Sequence, residues 1–219
     1  MNIKCLRLIL VVCIFLITPA RAGMRYDFAR ITSNATEDIA SQLSLEVTDL
    51  GELDETGINQ VSFTFYNDGP VASSITNIYI DDGILDELVS ISGSGDIVNF
   101  VHDSLSPENF PGGENLVPAF VPTISLSAGI NPNPPVNGVN PGESVTVVYS
   151  LLDNLTYDDV IEALNQGLQG FDSLRIGLHV QAIGDGADSD SFVLVPLPAT
   201  IVLGLLGLGV GGLKLRRSL

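Results

Sequence analysis

The chain of 219 residues carries 26 Asp and Glu against 9 Lys and Arg, a formal net charge of −17. All the carboxylates fall between Asp27 and Asp190, where only Arg25, Arg30 and Arg175 are basic, and no Lys or Arg occurs from Ile31 to Leu174. Such a field repels nucleic-acid phosphates, anionic lipid and anionic polysaccharide while favouring divalent cations and solubility, which excludes nucleic-acid binding.

The first segment, residues 1–22, reads as a signal peptide. Lys4 and Arg7 form a basic start, Leu8 to Ile17 an apolar core of about ten residues, and Ala20-Arg21-Ala22 precedes Gly23. Small side chains at Ala20 and Ala22 suit signal peptidase, so the chain is expected to be exported. Cys5 and Cys13, the only cysteines, both lie in this segment. The mature chain therefore has no disulfide, no thiol nucleophile and no cysteine metal site. Residues 23–194 remain, roughly 170 of them, enough for one domain with a sizeable core.

That body reads mostly as strands. In Gln60–Tyr66, Val61, Phe63 and Phe65 alternate with Ser62, Thr64 and Tyr66, the period of a half-buried strand. Asn67-Asp68-Gly69-Pro70 then turns the chain, Ser74–Ile80 follows, and Asp81-Asp82-Gly83 turns it again. Leu43–Val47, Leu88–Ile91, Ile97–Val101, Thr123–Ser127, Ser144–Leu151, Leu174–Ala182 and Ser191–Leu194 are further strand candidates. Short strands punctuated by Gly, Pro, Asn and Asp predict a mainly β fold, an antiparallel β-sandwich.

Two stretches break the strand pattern. Prolines and glycines crowd Ser106–Pro141, which predicts a long irregular region around one strand, either a crossover between two sheets or the lining of a binding face. In Thr156–Gly167, Asn154 or Thr156 can cap a helix whose first turn holds Asp158 and Asp159, where the helix dipole favours them. Tyr157, Val160, Ile161, Leu164 and Leu168 share one face at helical spacing, so this amphipathic helix is expected to pack on a sheet end.

The last stretch, residues 195–219, has three parts. Val195-Pro196-Leu197-Pro198-Ala199 is turn-prone, Ala199–Leu213 is an uncharged apolar run, and Lys214, Arg216 and Arg217 close it. A spanning helix needs roughly 20 apolar residues. The run has about 15, which suffices if the basic side chains snorkel to the headgroups. Basic residues beside a span mark its cytoplasmic side, so the acidic body is expected outside the cytoplasm.

This tripartite end resembles the PEP-CTERM sorting signal of exported bacterial proteins, with Leu197 standing where the family's central Glu is usual. The resemblance covers Val195–Leu219. It implies recognition and processing by an exosortase, a membrane cysteine protease-like transpeptidase, often in bacteria that make extracellular polysaccharide. A plain single-pass anchor is the other reading of the same residues. The phrases VSFTFYNDGPVASSITNIYIDDG, SPENFPGG, PPVNGVNPGES and LRIGLHVQAIGDG, within Val61–Gly186, are similar to a recurrent body of such proteins, one whose biochemical activity is undetermined.

No catalytic constellation is legible. The mature histidines are His102 and His179, and no Gly-x-Ser-x-Gly, His-Glu-x-x-His or phosphate loop is present. The protein is therefore expected not to be an enzyme and to need no cofactor. Calcium is the one chemical alternative. Asp185, Asp188 and Asp190 place carboxylates in a Gly-containing loop, and hard divalent ions want several oxygens together, although the EF-hand spacing is absent. Solvated turns are the simpler account of these residues and the favoured one, as they are for Asp81, Asp82, Asp86 and Glu87. The expectation is thus an exported, non-enzymatic surface or matrix protein at the membrane or released from it. The alternative is an adhesive sandwich binding calcium or carbohydrate.

Overall fold

The computed structural model describes residues 23–53, 56–103, 107–131, 133–152, 154–166, 173–186 and 188–196. Ten strands, two α-helices and two short 3-10 turns follow one another along them. The strands are β1 (Met24–Arg30), β2 (Leu43–Glu52), β3 (Asn59–Asn67), β4 (Ser74–Asp81), β5 (Leu85–Gly93), β6 (Phe100–Asp103), β7 (Ile124–Ala128), β8 (Glu143–Leu151), β9 (Arg175–Ile183) and β10 (Asp188–Leu194). The helices are α1 (Pro134–Asn137) and α2 (Tyr157–Gln166). The mainly β, antiparallel character expected from the alternation is what the chain adopts.

All ten strands belong to one antiparallel sheet in the order β5-β8-β3-β2-β1-β10-β9-β4-β7-β6. The hinge of this arrangement is β1, the strand that sequence reasoning passed over. Its first half pairs with β2, Tyr26 opposite Leu45, and its second half with β10, Phe28 opposite Leu194. One strand thus joins two flanks, and the sheet folds over a single core. Met24, Tyr26 and Phe28 alternate with Arg25 and Asp27, and that period was the available signal.

Register follows from which side chains need burial, because a slip of one residue would turn every core side chain to water. Leu45 and Val47 stand opposite Phe65 and Phe63, which in turn face Val145 and Val147. On the other flank Phe192, Leu178, Ile78 and Leu126 form a continuous cross-strand row. All of these are buried to within 1% and belong to one hydrophobic cluster.

α2 closes one end of that cluster. Thr156 donates its backbone N–H and its hydroxyl to the Asp159 carboxylate, at 2.7 and 2.6 Å, fixing the first turn. Val160, Ala163 and Leu164 are buried, Tyr157 and Ile161 pack beside them, and the Tyr157 hydroxyl donates to the Val47 carbonyl at 3.1 Å. Leu168, expected on the same face, lies outside the described residues.

The proline-rich region has two roles. Residues 129–142, with α1, carry the chain from β7 to β8, from one flank to the other, as a crossover should. Residues 107–123 do not cross. They connect the paired strands β6 and β7 and fold back over the outer face of β4, β9 and β10. There the Phe110 ring packs between Tyr79 and Phe120, at ring-centroid separations of 5.1 and 4.8 Å, in a second small apolar cluster. Gly177 allows this, since a Cβ there would lie 2.6 Å from the tip of the Phe110 ring.

The signal peptide over 1–22 and the span over 199–213 lie outside the described residues. Among the described residues no helix is long and apolar enough to cross a membrane.

Candidate functional site

The C-terminal motif begins where the ladder ends. The Val195 N–H donates to the Asp27 carbonyl at 2.9 Å, one step beyond the Phe28–Leu194 pair, so a hydrogen bond to β1 still ties Val195 to the sheet. Val195 is 41% exposed and Pro196 is exposed. No linker separates the folded body from the motif. Leu197, Pro198, Ala199, Lys214, Arg216 and Arg217 lie outside the described residues, as do Ala20 and Ala22.

Val195 and Pro196 also form one wall of a groove of about 220 Å³. Leu164 of α2, Leu174, Val193 of β10 and Leu116 of the covering loop complete an almost wholly apolar lining. Arg175 supplies its single charge, and that charge is spent. The guanidinium pairs with Asp81, donates to the Pro118 and Ala119 carbonyls at 2.9 and 2.6 Å, and stacks over the Phe120 ring at 4.9 Å. The exposed Val117 and Val121 stand on the same loop.

At the opposite end of β9 and β10 sits the acidic turn. Asp185 and Asp188 rim a cleft of about 260 Å³ together with Glu37, and Gly184 has φ +65 there, a conformation suited to glycine. Asp190, grouped with them in the sequence, is engaged elsewhere. It is 1% exposed, and its carboxylate accepts from Arg30 Nη2 at 2.5 Å, the Thr32 hydroxyl at 2.7 Å and the backbone N–H groups of Asn34 and Ala35 at 2.8 and 3.1 Å. Burial alone would raise its pKa. The Asn34 N–H, the Thr32 hydroxyl, the Ala35 N–H and Arg30 outweigh burial and hold the carboxyl below its ordinary range. Its lone pairs serve the fold and are not free for an ion. Among the described residues no group of three or more His, Cys, Asp or Glu side chains is set to hold a metal ion.

The acidic cluster near β4 divides in a similar way. Asp81 pairs with Arg175, and Asp82 accepts from the Ile84 and Leu85 N–H groups at 2.8 and 2.9 Å, shaping the turn into β5. Burial raises the Asp82 pKa despite those bonds. Each arginine of the body takes an aspartate: Arg25 takes Asp68 at the surface, and Arg30 and Arg175 take the two just described. Sequence spacing could not show these pairs, since 160 residues separate Arg30 from Asp190 and 94 separate Arg175 from Asp81.

The two histidines do not meet. His102 stands opposite Leu126, in line with the core row, whereas His179 lies opposite Asn77 and Ser191, on the alternate face. Burial lowers the His179 pKa, and the nearby Asp190 charge offsets part of that. Ser191 is 1% exposed, which denies a substrate access to its hydroxyl.

The described chain is a mainly β antiparallel protein, with a tail-exit groove and an acidic cleft at opposite ends of one hairpin. No protein-family model, curated protein or solved structure matches it.

Proposed function

We propose that this is an exported, non-enzymatic cell-surface or extracellular-matrix protein, an acidic β-sandwich body carried on a C-terminal sorting and anchoring segment. In this reading the two flanks joined by β1 are the two layers of the sandwich. Signal peptidase removes residues 1–22, the apolar run Ala199–Leu213 anchors the chain in the membrane, and an exosortase processes Val195–Ala199. The body then remains at the membrane, is attached to the envelope or is released among extracellular polysaccharide.

One observation carries the proposal. A turn-prone VPLPA, an uncharged apolar run and a basic cluster stand in that order at one end of the chain, and the first of them starts directly from the last strand. A processing enzyme needs its motif accessible, which suits Val195 and Pro196 as they leave β10. The test is intact mass and fractionation of the protein in its host, with and without the exosortase. A product lacking both termini, replaced by a membrane-bound form with a full tail in the mutant, is the expected result. An unaltered tail in both strains would leave a plain anchor.

The second reading is an adhesive sandwich that binds calcium or carbohydrate. The cleft of Glu37, Asp185 and Asp188 favours it, since two of the three acidic residues predicted for the ion remain at its rim with a third from another segment.

A further inference from the structure

We propose that the apolar groove beside β10 is the docking site for the chain's own continuation, with the Leu197 side chain seated against Leu116 and Val193. The groove lies at the rim from which that continuation must start, because Val195 and Pro196 are part of its wall. Leu197 is therefore held within a residue's reach of the lining before any docking, and little further chain entropy opposes its entry. The lining selects an aliphatic occupant. Its one charge, Arg175, already has a carboxylate and two carbonyls, so a polar ligand would find no free partner there.

Size agrees with a side chain rather than a cofactor. Apolar cavities of about 150 Å³ take up a molecule as large as benzene, and the groove, at about 220 Å³, suits one branched aliphatic side chain with its neighbouring backbone. Of the residues that follow Pro196 in the sequence, Leu197, Ile201, Val202 and Leu203 carry such side chains, and Leu197 is the first of them. Charge runs the same way, for the tail ends in Lys214, Arg216 and Arg217 while the body is strongly acidic. Docking does not depend on any processing enzyme. If one does read VPLPA, the docked Leu197 covers the centre of its motif, and the enzyme must first lift it.

The experiment uses the full chain in mild detergent with Cys5→Ser, Cys13→Ser and Leu197→Cys, so that position 197 carries the only thiol. The rate of its modification by a charged thiol reagent is compared with that of Val101→Cys, an exposed control. Docking predicts slow labelling at 197, accelerated about tenfold or more when Leu116→Asp places a charge at the mouth of the groove. Leu116 is only partly buried, and the melting temperature of each variant shows that the fold persists. Labelling at 197 as fast as at the control would overturn the proposal. So would slow labelling that Leu116→Asp leaves unchanged, because the lipid or detergent phase would then be burying the residue. Protection that grows with protein concentration would assign the groove to the tail of a second copy, and overturns it as well.

Discussion

At the scale of single residues, the body depends on a few charges placed where water is absent. Asp190 is the extreme case: a carboxylate with no exposed side-chain surface, satisfied by Arg30, Thr32 and two backbone N–H groups. The assembly ties the segment after β1 to β10, strands remote in sequence. Removing one member of a buried pair strands the other, so Asp190→Asn is expected to cost about 3–5 kcal/mol at neutral pH, read from denaturant unfolding. Its acid behaviour is the sharper test. The folded pKa is depressed below the unfolded value of about 4, so below that pH the unfolded chain takes up the proton first. The stability that Asp190 contributes is then lost as pH falls through its folded pKa. The asparagine variant should lose less stability than the parent between about pH 5 and pH 2. Asp82 has the opposite sign, because a raised folded pKa makes its contribution less favourable as pH rises through that window. Equal acid losses in parent and Asp190→Asn would place the titrating group elsewhere.

At the scale of elements, the covering loop between β6 and β7 is held by ring packing together with hydrogen bonds such as those from Arg175 to the Pro118 and Ala119 carbonyls. Phe110 lies on the sheet over Gly177, beside Tyr79 and Phe120, and any side chain at position 177 would displace its ring. Gly177→Ala should therefore cost about 1–3 kcal/mol as an overpacking change. In a Phe110→Ala background the same substitution should cost clearly less, because the clash has been removed; a strictly additive cycle in thermal unfolding would refute this packing. This loop also separates what local sequence pattern encodes from what only the assembled sheet determines. β3 was legible from period-two alternation, most other strands from short apolar runs between turn residues, and α2 from its acidic first turn and apolar stripe, because those signals are local. The candidate at Ile97–Val101 meets β6 only at Phe100 and Val101. β1 carries the same alternation on fewer residues, beside a signal-peptide end. The path of residues 107–123 is not local at all. Proline content says that the segment lacks ladder hydrogen bonds, but its direction is set by Phe110 and Phe120 finding Tyr79, and that depends on the assembled sheet. The site divides likewise. Asp185 and Asp188 were legible as a pair, whereas the recruitment of Asp190 by Arg30 and the arrival of Glu37 are tertiary facts.

At the scale of the whole molecule, the dominant force to manage is self-repulsion. Three arginines face 26 carboxylates in the body, and all three are already paired, so the remaining acidic residues raise the free energy of the compact state. Screening should relieve this. Raising NaCl from about 0.01 M to about 1 M shortens the Debye length from about 30 Å to about 3 Å. Each 1 kcal/mol recovered should appear as about 2–4 °C in melting temperature for a domain of this size. A monotonic rise is expected, and a flat or falling curve would mean that the arginine pairs, which salt weakens, matter more than the repulsion. Calcium then separates general screening from a specific site. At matched ionic strength, a diffuse counterion effect gives nearly the same melting temperature in CaCl2 as in NaCl. A site in the Glu37–Asp185–Asp188 cleft adds stability that grows with the logarithm of free calcium, reaching about 2.7 kcal/mol at a hundredfold excess over its dissociation constant. Asp185→Asn and Asp188→Asn should then abolish the calcium increment while leaving the NaCl response in place. Asp190→Asn offers the internal control, because its carboxylate is committed to Arg30 and Thr32: it should lower the melting temperature in both salts without altering their difference.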